Sequence, residues 1–363
     1  MDEEERVAWA ALNRIVEPGD EEAGALIVDE GPVDALARLC AARQRLRLEP
    51  PDGARELAHA ALIGARFICP GAGEWPSQLD DLGPIRPTGL WVRGAASLRL
   101  AALHSVAVVG ARACTEYGAR VAAELSAALA DRGRPVVSGG ASGIDAAAHR
   151  GALVVGGLTV SVLACGVDQV YPRSNEQLLK RIAELGLVVS ELPLGAHPNR
   201  PRFLQRNRLI AALTRGTVVV EAARRSGSLN TARWAAELNR HVMGVPGPVV
   251  SELSSGVHEL IRTGAVLVTS AAEVVELVGG VGTDLAPAPQ LPALPRDILG
   301  PVALRVIEAL PLDRRGAPVE HLVRRLALPA PAVLARLHEL CALGMVEREG
   351  AHWRLNPERI ATP

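Results

Sequence analysis

The sequence predicts an α/β fold built on a mostly parallel sheet, with a helical module before it and a small helix-and-hairpin domain after it. Three observations carry this reading. Residues 105–280 alternate short apolar, β-branched runs with helical patterns. Those runs are apolar at nearly every position rather than every second one, so the strands are covered on both faces. The loops that follow them turn rich in glycine and polar residues, as expected where ligands bind beyond the carboxyl ends of the strands.

Taken in order, residues 1–62 read as a helical module, with apolar positions at three- and four-residue spacing around Val7–Val16 and Ala35–Leu39, broken at Pro18-Gly19 and Gly31-Pro32. Residues 63–104, dense in Gly and Pro, read as a connector with one strand at Leu90–Val92. In 105–280 the expected strands are Val106–Val109, Pro135–Ser138, Thr159–Leu163, Leu187–Ser190, Thr217–Glu221, His241–Val245 and Ala265–Val268. Helical patterns lie between them, among them Tyr117–Arg132, Asn175–Leu185 and Asn230–Asn239. Residues 281–301 form a Pro-rich linker. Residues 302–358 read as helices Ala303–Leu310, Pro318–Leu326 and Pro331–Leu343, closed by strands Met345–Glu349 and His352–Leu355, which is a winged-helix pattern.

The chain has 363 residues and 38.1 kDa, with 48% hydrophobic and 22% charged residues. This excludes a disordered chain, a collagen-like fibre and a disulfide-stapled miniprotein. No apolar run reaches the ~18 residues of a membrane span. The start, MDEEER, lacks the basic and apolar pattern of a secretory signal, so the chain reads as cytoplasmic. Cys40, Cys69, Cys114, Cys165 and Cys341 stand singly, without metal-site spacing, and read as reduced thiols. Lys180 is the only lysine; the cationic chemistry is arginine's, which binds phosphate bidentately. Net charge is −1, but eleven acids crowd residues 1–34 while seven arginines face Glu221 alone in 200–225. A near-neutral total conceals a basic segment.

Five segments attract attention. The first strand opens into VAVVGARACTEYG, where a dinucleotide fingerprint would stand. Arg112 occupies the place of its second glycine, which disfavours NAD or FAD and suits a single phosphate held by Arg112, Thr115 and the helix terminus that follows. The second opens into VVSGGASGIDAAAHRGAL, a glycine loop leading into a helix; Asp145 and His149 there read either as structural or as an acid/base or metal pair without a third ligand. In ACGVDQVYPRSN, Asp168 or Asn175 caps or binds. The densest segment, NRPRFLQRNRLIAALTRG, sets Arg200, Arg202, Arg206 and Arg208 around Phe203, one of two phenylalanines. A cationic track with an aromatic between its charges is what a single nucleic-acid strand requires; the alternative is a solvated basic face with Phe203 in the core. Last, TVVVEAARRSGSLNTARWAAE places Ser226, Gly227 and Ser228 ahead of a helix, an anion-ready turn without the Walker lysine. No GxSxG elbow, HExxH or oriented Cys/His pair is present. Anion-friendly loops without a nucleophile point to binding rather than catalysis.

In consecutive order, GARACTEYG, SGGASGIDAAAHRGAL, GVDQVYPRSN, SELPLG, RFLQRNRLIAAL, VVVEAARRSGSLNTA and VPGPVVSELSSGVHELIRTGA resemble the DNA-processing protein A (DprA/Smf) family over about Ser105–Val268. The resemblance implies an extended Rossmann-like domain that binds single-stranded DNA without hydrolysing it, flanked by a SAM or helix-hairpin-helix-like module and a winged-helix-like domain. It implies protection of incoming strands in natural transformation, loading of the RecA recombinase and a homodimer through the Rossmann-like domain, with no metal or cofactor. It implies DNA contacts from Arg112 and Thr115, from Arg200, Phe203, Arg206, Asn207 and Arg208, and from Ser226, Gly227 and Ser228. Leu204 replaces the family's usual proline, the second loop has Gly-Gly-Ala for Gly-Leu-Ala, and Asn239 replaces glycine. The tail's third helix offers a DNA groove only Arg336 and His338, and ten arginines face eight acids over 296–359, so the tail reads as a protein-interaction or weak DNA-contact module. The acidic N-terminal module suits a partner or regulatory role. The rival is a nucleotide phosphoribohydrolase on a similar fold, with Glu221 and Arg208 as its catalytic pair; its PGGxGT glycines are missing.

Overall fold

Runs of valine, alanine and leucine without a polar face form strands only where both sides are covered. A computed structural model, describing residues 2–280, 284–286, 299–311 and 316–356, places them at the centre of a nine-stranded sheet. Its strands are β1 (Ala65–Ile68), β2 (Leu90–Arg93), β3 (Val106–Val109), β4 (Val136–Ser138) and β5 (Thr159–Leu163). There follow β6 (Leu187–Ser190), β7 (Gly216–Val219), β8 (His241–Gly244) and β9 (Val266–Leu267). The order is β1-β2-β6-β5-β4-β3-β7-β8-β9. From β6 to β9 all neighbours run parallel, while β1 and β2 pair antiparallel and β2 adds antiparallel to β6.

The seven expected strands are β3 to β9. Residues 63–104, expected as a connector with one strand, supply both β1 and β2. They also hold a 3-10 segment, Ser77–Ile85, and the short helix α5 (Leu98–Leu103).

Ahead of the sheet come α1 (Glu3–Ile15), α2 (Glu21–Glu30), α3 (Pro32–Arg45) and α4 (Gly53–Leu62). Three of these have an aspartate at the N-cap, Asp2, Asp20 and Asp52, each accepting a peptide N–H of the first turn. Buried Asn13 fastens this module to the sheet, accepting from Trp91 Nε1 at 2.7 Å and donating to Glu191 O at 2.8 Å.

The crossover helices are α6 (Glu116–Asp131), α7 (Ile144–Val154), α8 (Glu176–Leu185), α9 (Arg200–Ala212), α10 (Ser228–Glu237), α11 (Glu252–Arg262) and α12 (Ala271–Val278). Alternation along β3 divides the core: Val106 and Val108 meet α6, α7 and α12 on one face, Ala107 and Val109 meet α9, α10 and α11 on the other. No helix among the described residues is long and apolar enough to cross a membrane.

After β3 the chain builds outward through β4, β5 and β6, then returns to lay β7 against the free side of β3. This reversal leaves a crevice beyond the carboxyl ends of β3 and β7, the position where open α/β sheets take ligands.

The chain divides into two compact units, residues 1–286 and 287–363. In the second, α13 (Pro301–Ala309), α14 (Val319–Leu326) and α15 (Ala330–Ala342) pack with a three-stranded antiparallel sheet. That sheet orders β10 (Ala317–Pro318), β12 (His352–Leu355) and β11 (Val346–Glu349), and its core gathers Val306, Leu322, Leu337, Leu340 and Trp353. Most of the expected linker at 281–301 lies outside the described residues.

Candidate nucleic-acid interface

Three segments converge on that crevice. The loop after β3 carries Arg112, the turn before α10 carries Ser226–Ser228, and α9 lies across the opening. Asn199 starts α9 by accepting from Arg202 N–H at 2.9 Å, and Pro201 suits its first turn. Helical spacing then brings Arg200, Phe203, Arg206 and Asn207 to one face. The helix runs unbroken through Leu204, so the missing proline leaves the geometry intact. Together these residues line a cleft of about 780 Å³.

Phe203 is half-buried at the cleft wall and is not among the residues of the main hydrophobic clusters. The Arg112 guanidinium lies 4.8 Å above its ring, and the Tyr171 ring centroid is 5.5 Å away at 54°. Arg206 forms the floor. It donates to Gly139 O at 2.6 Å and to Val162 O, and its Nε to Asn207 Oδ1. Burial lowers its pKa to about 10, opposed by the nearby Asp145 carboxyl. Gly139 is required here: a Cβ would stand 2.3 Å from Arg206 Nη1.

Asp145 and His149 are both buried and bonded to the protein, and Asp145 also lines the cleft. Asp145 Oδ2 accepts from Gly139 N at 3.1 Å, and burial raises its pKa. His149 Nδ1 meets Thr159 Oγ1 at 2.7 Å, and burial lowers its pKa to about 3. No group of three His, Cys, Asp or Glu suited to a metal occurs among the described residues. Asn175 donates to the Gly140 and Ala141 carbonyls and so braces the same loop.

The Ser226–Ser228 turn is tied internally, with the two hydroxyls 2.8 Å apart, and to α9 by Asn207 Nδ2, which donates to Gly227 O at 3.2 Å and Asn230 Oδ1 at 3.3 Å. The turn thus offers the N-terminus of α10 to the cleft, where peptide N–H groups and the helix dipole favour an anion.

Two residues expected at the interface stand away from the cleft lining. Thr115 caps α6, accepting from Gly118 N at 3.0 Å, and donates its hydroxyl to Glu221; it does not line the cleft. Arg208 is 0% exposed on the opposite face of α9. It binds Glu191 through two bonds of 2.7 and 2.6 Å and donates from Nε to Ile85 O. The Glu221–Arg208 pair that a nucleotide-cleaving enzyme would require is therefore not assembled. Sequence reasoning missed Arg225, Asn230 and Tyr171, all lining the cleft. Arg225 was visible as a cation directly before the phosphate-type turn.

The model of the DNA recombination-mediator protein A family matches residues 66–279. A DprA-type chain of Mycobacterium tuberculosis is 44% identical over 366 residues, covering 96% of this chain and 94% of its own length. Protein Smf of Escherichia coli is 40% identical over 264 residues, 72% of this chain and 69% of its own. Among solved structures, DprA of Streptococcus pneumoniae superposes with a TM-score of 0.64 at 30% identity, covering 76% of this chain and 97% of its own. DprA of Helicobacter pylori, a structure concerned with that protein's single-stranded DNA binding mode, gives 0.52 at 30% identity over 58% and 94%.

Proposed function

The chain belongs to the DNA recombination-mediator protein A family, and we propose that it binds single-stranded DNA in the cleft between α9 and the turn before α10. Arg112, Arg200 and Arg225 take the backbone phosphates, and the Ser226–Ser228 turn holds one phosphate at the N-terminus of α10. Phe203 offers its ring to a base, with Arg112 turning from the ring to a phosphate. Arg206 and Asn207 act from beneath, fixing the floor and the turn.

The observation that carries the reading is the meeting of exposed arginines, a half-buried aromatic and a helix N-terminus in one crevice. The solved Helicobacter relative, concerned with single-stranded DNA, supports it. In the same reading the protein holds the strand without cleaving it, protects incoming DNA and passes it to the RecA recombinase in the cytoplasm. It acts as a homodimer through the Rossmann-like domain, for which the edge strand β9, with exposed Val266 and Leu267, is one candidate surface.

Fluorescence anisotropy of a labelled poly-dT oligonucleotide and of its duplex, titrated with salt beside a nucleoside monophosphate hydrolysis assay, tests the reading. Tight, salt-sensitive preference for the single strand without base release is expected. Weak DNA binding with released base would make the cleft an enzyme's substrate pocket.

A further inference from the structure

Glu221 follows β7, is 2% exposed, and faces the loop that carries Arg112 from below. Its carbonyl oxygen accepts from Ala111 N–H at 2.7 Å. Its carboxylate accepts from Thr115 N–H at 2.9 Å through Oε2 and from the Thr115 hydroxyl at 2.5 Å through Oε1. Ala111 and Thr115 are the two ends of the segment that presents Arg112, so one residue fastens both. On the other side Ala111 O accepts from Ile144 N at 3.1 Å, at the start of α7. A buried carboxylate is costly unless its lone pairs are met, and the donors here are a peptide N–H and a hydroxyl of the loop itself. The first turn of α6 closes on the same group: a Cβ at Gly118 would stand 2.4 Å from Glu221 Oε2.

We propose that Glu221 is a positioning residue for single-strand binding: it clamps the Arg112 loop at both ends, so that the guanidinium is held at the cleft before a phosphate arrives. The proposal rests on the single-strand reading above. It assigns Glu221 no contact with DNA. Its effect is preorganisation, which raises affinity by removing the ordering cost from the binding step.

The test is anisotropy of a labelled dT oligonucleotide with the full chain in six forms, with melting temperatures recorded for each: wild type, Glu221→Gln, Gly118→Ala, Arg112→Ala, and Glu221→Gln and Gly118→Ala each combined with Arg112→Ala. In Glu221→Gln an amide NH2 replaces one of the two acceptors. Dissociation constants are expected to rise about fivefold, as for one lost hydrogen bond. The slope of log affinity against log salt should become shallower by up to about 0.7, one phosphate contact. In the Arg112→Ala background Glu221→Gln should cost nothing further, because the loop then has no cation to present. Gly118→Ala leaves the chemistry of Glu221 untouched and only displaces its carboxylate; it should weaken binding likewise, and be silent without Arg112. Wild-type affinity in both Glu221→Gln and Gly118→Ala overturns the proposal, as does an undiminished loss in the Arg112→Ala background. Failure of the wild type to bind the oligonucleotide overturns the single-strand reading itself, and is distinguishable because it precedes any substitution.

Discussion

Phe203 takes Arg112 over its ring at 4.8 Å and Tyr171 beside it at 5.5 Å, while the main hydrophobic clusters pass beneath it without it. On the single-strand reading proposed above, a ring in that place serves the ligand rather than the fold. Phe203→Ala should therefore cost ~1–3 kcal/mol of affinity for a dT oligonucleotide. A drop in melting temperature with unchanged affinity would return the ring to a structural role. A different residue weakens the fold as pH falls. His149 is buried with its Nε2 unpartnered, and its pKa lies at about 3 against an ordinary 6.5. The unfolded chain takes up a proton as pH falls through 6.5, whereas the folded chain does not until about 3. Stability from this group is present above 6.5 and is lost across that window. Asp145, raised by burial, works in the opposite direction, and the Arg206 and Arg150 charges oppose a proton on His149. His149→Gln cannot take up the proton, so its melting temperature should fall less than the wild type's between pH 7 and pH 4. Parallel falls would refute the assignment.

At the scale of elements, α9 joins fold and site, because its two faces do different work. Arg200, Phe203, Arg206 and Asn207 line the cleft, while Arg208 points inward to Glu191 at the end of β6. Removing one partner of a buried pair strands the other, so Arg208→Ala should destabilise the protein by ~3–5 kcal/mol, measured as a lower denaturant midpoint. The variant that remains folded should bind DNA as the wild type does. Much of this was legible in the sequence. The apolar runs located β3 to β9 to within a residue or two, and for β3 to β7 this is because a strand buried on both faces admits few polar side chains. The inward aim of Arg208 was legible too: five residues from Phe203 is about 140° around a helix, and the apolar Leu209–Ala212 follows it. The start of α6 carries a capping signal at Thr115, a threonine directly before the first-turn acid Glu116. Other features were out of reach. Strand β1 is four residues long, followed by Gly- and Pro-rich chain, and is a strand because β2, itself added to the β6 edge, receives it. The partnership of Thr115 with Glu221 spans 106 positions and follows from the return of β7 to β3 rather than from any local pattern.

For the whole molecule, the net charge of −1 conceals a division of labour among the arginines. Arg208 is spent in the core and Arg206 in the floor. Arg202 pairs with Glu17 of the acidic N-terminal module at 2.7 Å. That leaves Arg112, Arg200 and Arg225 exposed at the cleft. Three phosphates neutralised on a single strand correspond to a slope of log affinity against log salt near −2. The proposed reading assigns the second unit no part of this sum, although Arg324 and Arg325 stand exposed on α14. On α15, Arg336 is paired with Glu339, and His338 lies edge-on to Trp353 at 5.3 Å. Neither presents an uncommitted cation. Residues 1–286 form a compact unit of their own, which keeps Asp284 against Arg134 at 2.9 Å. A chain ending at Ala286 should then bind a dT oligonucleotide within about twofold of the full protein and with the same slope. Equal slopes with unequal affinities would place the tail's contribution in uncharged contacts. A shallower slope in the shortened chain would mean that phosphates reach cations of the tail, and the three-arginine account would be wrong.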